Sequence, residues 1–480
     1  MNDKAPPPTN DAGVVAREFR WGIYLLLIAI SSGAMLGRIL AVTSVDAQGI
    51  EAQLYREGKR DWQRQRAFLS ANDRSRWATV RSLVEQGTYQ IDDMIQERGW
   101  DTIDMVQHRG WDGKLHQYSS KPPLMATLMA GPYWIIYRTT GASLGNYPYE
   151  VGRTLIVLFN VVPLVLYFFI LALLAERLGT TDWGRSFMLA AACFGTFLTT
   201  FAVSINNHGP AAVCVAIVLW ATVRIWYDGE RRLRYFALAG FFASFAVTNE
   251  LPALSLLGLT AAALLWKCPR QTLVAFLPPV LLVAGAAFAT NYIAHGSLRP
   301  PYMHRSATDP DDNWYDYSYM RGGKLRDSYW RNPVGIDKGE PSPGVYVLHA
   351  TIGHHGIFSL TPMWLLSAWG LWLLWRRDWP ALALFIAILS AVCLTFYLSR
   401  PQIDRNYGGM TSGFRWMFWF APLWLVALLP AADRLAASRN GRVMAAVLLA
   451  LSVMSATYPT WNPWTHPWLY NFLHSLGVAV

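Results

Sequence analysis

The sequence predicts an all-α polytopic membrane protein of about eleven transmembrane helices, with a large first outer loop that carries amphipathic helices. Three observations predict it. The 480-residue chain is 53% hydrophobic and only 15% charged, whereas a soluble domain carries about 25% charged residues. Apolar runs long enough to cross a bilayer, about 20 residues each, recur along it. It holds 23 tryptophans, a side chain that favours membrane interfaces.

Taken in order, residues 1–20 are polar and proline-rich and read as a disordered cytoplasmic N-terminus. The apolar run after them is too long for a signal peptide and lacks a cleavage site, so it is read as a retained first helix. The predicted spans are 21–42, 152–175, 185–204, 209–226, 234–249, 251–267, 271–293, 358–375, 379–398, 414–431 and 442–458. Short loops rich in Lys and Arg stay in the cytoplasm. Five such clusters stand at Arg177/Arg185, Arg224/Arg231/Arg232/Arg234, Lys267/Arg270, Arg376/Arg377 and Arg434/Arg439/Arg442. Eleven spans and a cytoplasmic N-terminus put all five inside. The run 122–138 is also apolar but contains Pro122, Pro123 and Pro132. Counting it as a span would turn every later cluster outward, so it is placed at the outer surface. The body is then 21–458, with outer loops at 43–151 and 294–357 and an interfacial outer tail at 459–480 carrying Trp461, Trp464 and Trp468. The net charge of +10 lies between spans, which points to anionic lipids rather than nucleic acid. The four cysteines form no CxxC pair and read as small core residues. No Walker loop, GxGxxG, HExxH or GxSxG occurs, and no strong internal repeat.

The unusual residues gather on the outer side. Asp73 precedes Arg76, Val80, Leu83 and Val84 at helical spacing. Asn72 or Asp73 can cap that helix, or Asp73 can act as a general base towards a hydroxyl. Lys114 and Lys121 flank Tyr118-Ser119-Ser120. They suit either lipid contact or a clamp on a leaving phosphate, where negative charge develops. Asn207 and His208 sit at a helix junction, able to bind a sugar or carboxylate or to cap the next helix. Asn249 and Glu250 interrupt two apolar runs. An ionisable residue there is a functional candidate, and a solvated break is the alternative. His349, His354 and His355 suit phosphate contact or packing. Zinc is weakly signalled, because His349 and His354 are five apart. Arg405, Tyr407 and Arg415 border glycines that let backbone approach a ligand closely. Arg415 can hold phosphate through two N–H groups.

A first span, a large outer loop with Asp73 ahead of its helix, Lys121-Pro122-Pro123-Leu124, and the glycine-rich Tyr407–Arg415 stretch together resemble the GT-C superfamily of membrane glycosyltransferases. The resemblance is closest to its protein-mannosyltransferase and aminoarabinose-transferase branch, of family 39 type. It implies an inverting transfer of sugar from a polyprenyl-phosphate carrier to an acceptor hydroxyl on the outer side. The catalytic carboxylate maps onto Asp73. Lys114, Lys121 and Arg415 would steady the departing phosphate, with His354 or His355 assisting. Asn207, His208, Glu250, Arg405 and Tyr407 complete the expected substrate-binding set. The family often pairs two acidic residues here, whereas Arg74 follows Asp73, and Asp46 and Glu51 compete for the role. No resident cofactor is implied, no residue is assigned to a metal, and the family permits reactions with or without a divalent ion. Implied partners are the lipid-linked donor, a glycan, lipid or protein acceptor, and membrane lipids, with no nucleic acid. The implied location is a bacterial inner or plasma membrane, N-terminus cytoplasmic and C-terminus outside. The rival reading is a multispan transporter or flippase for a lipid-linked or anionic substrate. It would require polar residues deep in several spans, and here they gather at one face.

Overall fold

The structure, a computed structural model, describes residues 17–42, 68–377, 379–459 and 462–478. Asp46, Glu51 and Trp461 lie outside the described residues, as does most of the predicted N-terminal segment. Numbering the longer helices in chain order, eight are long and apolar enough to cross a membrane. They are α1 (Arg17–Ala41), α4 (Pro148–Leu178), α5 (Asp182–Val203), α6 (His208–Trp226), α9 (Pro269–His295), α12 (Pro380–Leu398), α13 (Arg415–Leu435) and α14 (Arg439–Thr457). The remaining predicted spans also form apolar helices, but shorter ones. These are α7 (Leu233–Asn249), α8 (Leu251–Lys267) and α11 (Trp364–Arg376). Their lengths follow from local breaks. Glu250 and Pro252 separate α7 from α8, and Thr361-Pro362 stops the turn Ile357–Leu360 before α11 begins. The protein is an integral, multi-pass membrane protein.

Helix α6 is buried along most of its length and packs against α4, α7 and α13. The bundle end away from the 204–208 turn is tied by charge. Arg20 of α1 donates to Glu176 at 2.7 Å and to Asp182 at 2.8 Å.

At the other end two long loops close over the bundle. The first contains α2 (Ala71–Glu85), a two-stranded antiparallel hairpin of β1 (Met105–Arg109) and β2 (Leu115–Ser119), and α3 (Pro123–Thr140), which lies across α2. The second loop docks on the first. The Gln107 N–H donates to the Trp314 carbonyl at 2.9 Å, and the Trp330 indole donates to the Ile103 carbonyl at 2.8 Å. A second hairpin pairs β3 (Ser318–Arg321) with β4 (Lys324–Asp327), and the short helix α10 (Pro343–Thr351) follows it.

Two expectations change here. The cap of α2 is Ser70, whose hydroxyl accepts from the Asp73 N–H at 3.1 Å, and not Asn72 or Asp73. Moreover, α2 is buried from Asp73 to Ser82 on every face rather than amphipathic, because loops and bundle enclose it. Its arginines are satisfied inside: Arg74 donates to the Asp101 carbonyl at 2.7 Å and Arg81 to Glu97 at 2.6 Å.

Candidate active site

Helix α2 is the hub of the site. Asp73 stands in its first turn, 1% exposed. One carboxylate oxygen accepts from the Trp77 indole N–H and the Ile205 backbone N–H, both at 2.9 Å. The other accepts from the Leu69 N–H at 3.2 Å. Burial outweighs these three donors and pushes the Asp73 carboxyl up to about 7, the range suited to a base working at neutral pH. A carboxylate has about four acceptor positions, so one remains on the second oxygen.

One turn on, Arg76 is buried. It donates to the Asn72 side chain at 2.5 Å and to the Asn207 side-chain oxygen at 3.2 Å. Asn207 passes the contact on, donating to Glu250 at 2.6 Å. Glu250 also meets the His208 imidazole and accepts from the Tyr397 hydroxyl at 3.2 Å. The break between α7 and α8 thus brings Glu250 to the start of α6, so both sequence candidates share one hydrogen-bonded unit.

Lys121 reaches Asp104 at 3.1 Å. Burial lowers its proton affinity, the nearby Arg76 and Arg415 push the same way, and Asp104 opposes them. Lys121 and Arg76 line a small pocket together with Thr79, Tyr89, Ser119 and His295. Arg415 is also buried. It donates to the Gly408 carbonyl, and its guanidinium lies 4.6 Å over the Trp464 ring. Its Nε has no hydrogen-bond partner among the described residues. Tyr407 holds a positive φ of 58° next to two positive-φ glycines, a loop shape that carries the chain around the arginine.

The site therefore assembles Asp73, Lys121, Asn207, His208, Glu250 and Arg415. It leaves out Lys114, exposed on the hairpin turn. It also leaves out Arg405, whose guanidinium serves the carbonyls of Arg400, Glu340 and Pro341. His354 and His355 form their own stack. His349 and His354 rings lie 3.8 Å apart, and His355 stacks on Tyr407 at 4.4 Å. Burial drives His354 down to about 3 and His355 well below its usual range, so both are neutral at pH 7. Among the described residues no three His, Cys, Asp or Glu side chains converge where a metal ion would sit.

Sequence reading missed Asp104, Tyr397 and the importance of Arg76. Arg76 follows Asp73 by one helical turn, which was a usable signal. Asp104 meets Lys121 only because the hairpin folds back, and nothing local marks it.

No family model and no curated protein sequence matches the chain. Solved structures do. ArnT from Cupriavidus metallidurans in the apo state is 14% identical, over 89% of this chain and 62% of that one, with a TM-score of 0.50. The same protein bound to undecaprenyl phosphate gives 14% identity over 90% and 60%, with a TM-score of 0.44. The Archaeoglobus fulgidus oligosaccharyltransferase in its apo form gives 13% identity over 93% and 55%, with a TM-score of 0.40. The chain spans about three-fifths of the length of ArnT. The likeness to apo ArnT shows the fold alone: a polytopic, mostly helical body, as the sequence predicted.

Proposed function

We propose that the chain is a membrane glycosyltransferase. It moves a sugar from a polyprenyl-phosphate carrier to an acceptor hydroxyl at the outer face of a bacterial inner membrane. The N-terminus is cytoplasmic and the C-terminal tail, 459–480, lies outside. The observation that carries the reading is the meeting of three cations, the buried Arg76 and Arg415 and the half-buried Lys121, at the loop-covered end of the bundle. Gathering buried cations is costly unless an anion completes the site. A phosphate on a membrane-soluble tail has the charge and the location to do so.

In the mechanism the acceptor oxygen attacks the anomeric carbon while Asp73 takes its proton. The bond from that carbon to the phosphate oxygen breaks, and its electron pair stays with the lipid phosphate. Lys121, Arg76 and Arg415 hold the growing charge, the kind of preorganised stabilisation that dominates many enzymatic rates. Asn207 and Glu250 keep Arg76 and His208 in place. The acceptor is a glycan, lipid or protein hydroxyl.

ArnT, whose fold the chain shares, is also seen with undecaprenyl phosphate, which agrees with this donor class. A transporter is less well supported, since the buried charged and amide groups of the site gather at the loop-covered bundle end and not along the middle of several spans. The test is purified protein in lipid with a panel of polyprenyl-phosphate sugars. Release of polyprenyl phosphate together with a new glycosidic product supports the transferase. Movement of intact donor across the bilayer without bond cleavage supports the transporter.

A further inference from the structure

His208 opens α6 and is 2% exposed. Its Nδ1 faces a Glu250 oxygen. Glu250 is itself 4% exposed and is held by two more donors, the Asn207 amide and the Tyr397 hydroxyl. A carboxylate in this position fixes the ring orientation, keeps a proton on Nδ1 and favours the imidazolium. Neither ring nitrogen makes a well-formed hydrogen bond among the described residues: Nδ1 has its ion-pair contact with Glu250, and Nε2 is buried with no partner at all. Such an atom calls for an explanation, and a ligand is one.

The surroundings say which ligand. The charged side chains within electrostatic reach of the ring are Glu250, Arg76 and Arg415. Phe418 packs edge-on at 6.4 Å. Burial and the two arginines oppose a proton on the ring, while Glu250 favours one. A phosphate seated between those arginines would cancel their opposition and offer an acceptor oxygen. Proton uptake by His208 and phosphate binding are then coupled.

We infer that His208 is the proton donor to the departing lipid phosphate, with Glu250 as its positioning residue. The inference rests on reading the cationic pocket as a phosphate site. During transfer the bond between the anomeric carbon and the phosphate oxygen breaks and that oxygen keeps the electron pair. The Nε2–H proton moves to this oxygen, leaving a neutral imidazole and a singly charged phosphate monoester. The acceptor proton goes separately to Asp73, so one proton is taken and one is given in each turnover. His208 regains its proton from solvent when the next lipid-linked donor seats its phosphate.

The test does not depend on turnover. A short-chain polyprenyl phosphate is titrated calorimetrically into the full chain in nanodiscs, in buffers of different ionisation enthalpy. Wild type should take up about one proton on binding, as expected for a histidine that charges only when phosphate arrives. His208→Gln should lose that uptake and bind about tenfold more weakly, the loss of one charge-assisted contact. Glu250→Gln should lose most of the uptake while keeping the ring, and it carries the test if His208→Gln fails to fold. Uptake unchanged in both variants would overturn the proposal. Absence of binding by wild type would overturn the phosphate pocket and this proposal with it. Uptake that depends on His208, in a protein that transfers no sugar from any donor, would uphold the coupling to phosphate but remove the transferase reading and, with it, the proton-donor role.

Discussion

In the proposed transfer, Asp73 is the base on which the chemistry turns. It sits in a buried, thrice-donated position and still carries a carboxyl pushed up to about 7. Activity should rise with pH through that region as the base loses its proton, and Asp73→Asn should lower turnover by roughly 10²–10⁴-fold, the usual worth of a general base. The stability sign is the reverse of the activity sign. A carboxyl raised in the folded state contributes stability that is complete below its unfolded value, about 4, and is lost as pH rises through about 7. Wild type should therefore lose melting temperature relative to Asp73→Asn across that window, which a pH series of thermal unfolding checks. Lys121→Met should weaken binding of polyprenyl phosphate by about tenfold, the loss of one charge-assisted contact, read by the same titration calorimetry. At this scale the sequence is legible where a local pattern frames the residue. Asp73 has its helix behind it, Lys121 its two prolines, and Arg415 its glycines. Lys114 and Arg405 were attractive as charges alone, but chain reversal points one into solvent and the other at backbone carbonyls. Asp104 had no local signal because its partner lies across a hairpin.

Among the elements, α2 joins the outer loop to the bundle. Its Ser70 cap and the Asp73 bonds to Leu69, Trp77 and Ile205 act together. Ser70→Ala should cost about 1 kcal/mol, seen as a lower unfolding temperature, and should weaken catalysis through the displaced first turn. The helical spacing from Asp73 to Val84 was enough to predict this element. It was not enough to predict full burial, because the covering groups come from distant loops. The hairpin β1–β2 escaped notice for a related reason. Its strands are five residues each, too short to stand out beside membrane-length runs. Of the three shorter apolar helices, α7 and α8 keep the predicted bounds to within a residue, because Glu250 already interrupts the apolar pattern. Helix α11 starts at Trp364 rather than 358, because the predicted run crosses a Pro362 break that the backbone respects.

For the whole molecule, composition was the strongest guide. Low charge, recurring apolar runs and abundant tryptophan led to a polytopic helical body, and the concentration of polar residues at one end led to a site there. Orientation follows from the arginine-rich short loops and has a direct check. The four native cysteines are buried, so added ones can be labelled cleanly. A cysteine at Lys114 should react with a membrane-impermeant thiol reagent applied to intact cells after outer-membrane permeabilisation, and one at Arg232 should react only after lysis. The reverse pattern would invert the topology. The central claim remains that the loop-covered end breaks a sugar–phosphate bond. It is tested most directly by polyprenyl phosphate released from a lipid-linked sugar panel in the presence of acceptor, comparing wild type with Asp73→Asn at equal folded protein. The account predicts steady release by wild type and loss of at least about a hundredfold in the variant. Equal release by the two proteins would contradict Asp73 as the base, and no release by wild type from any donor would contradict the transferase itself.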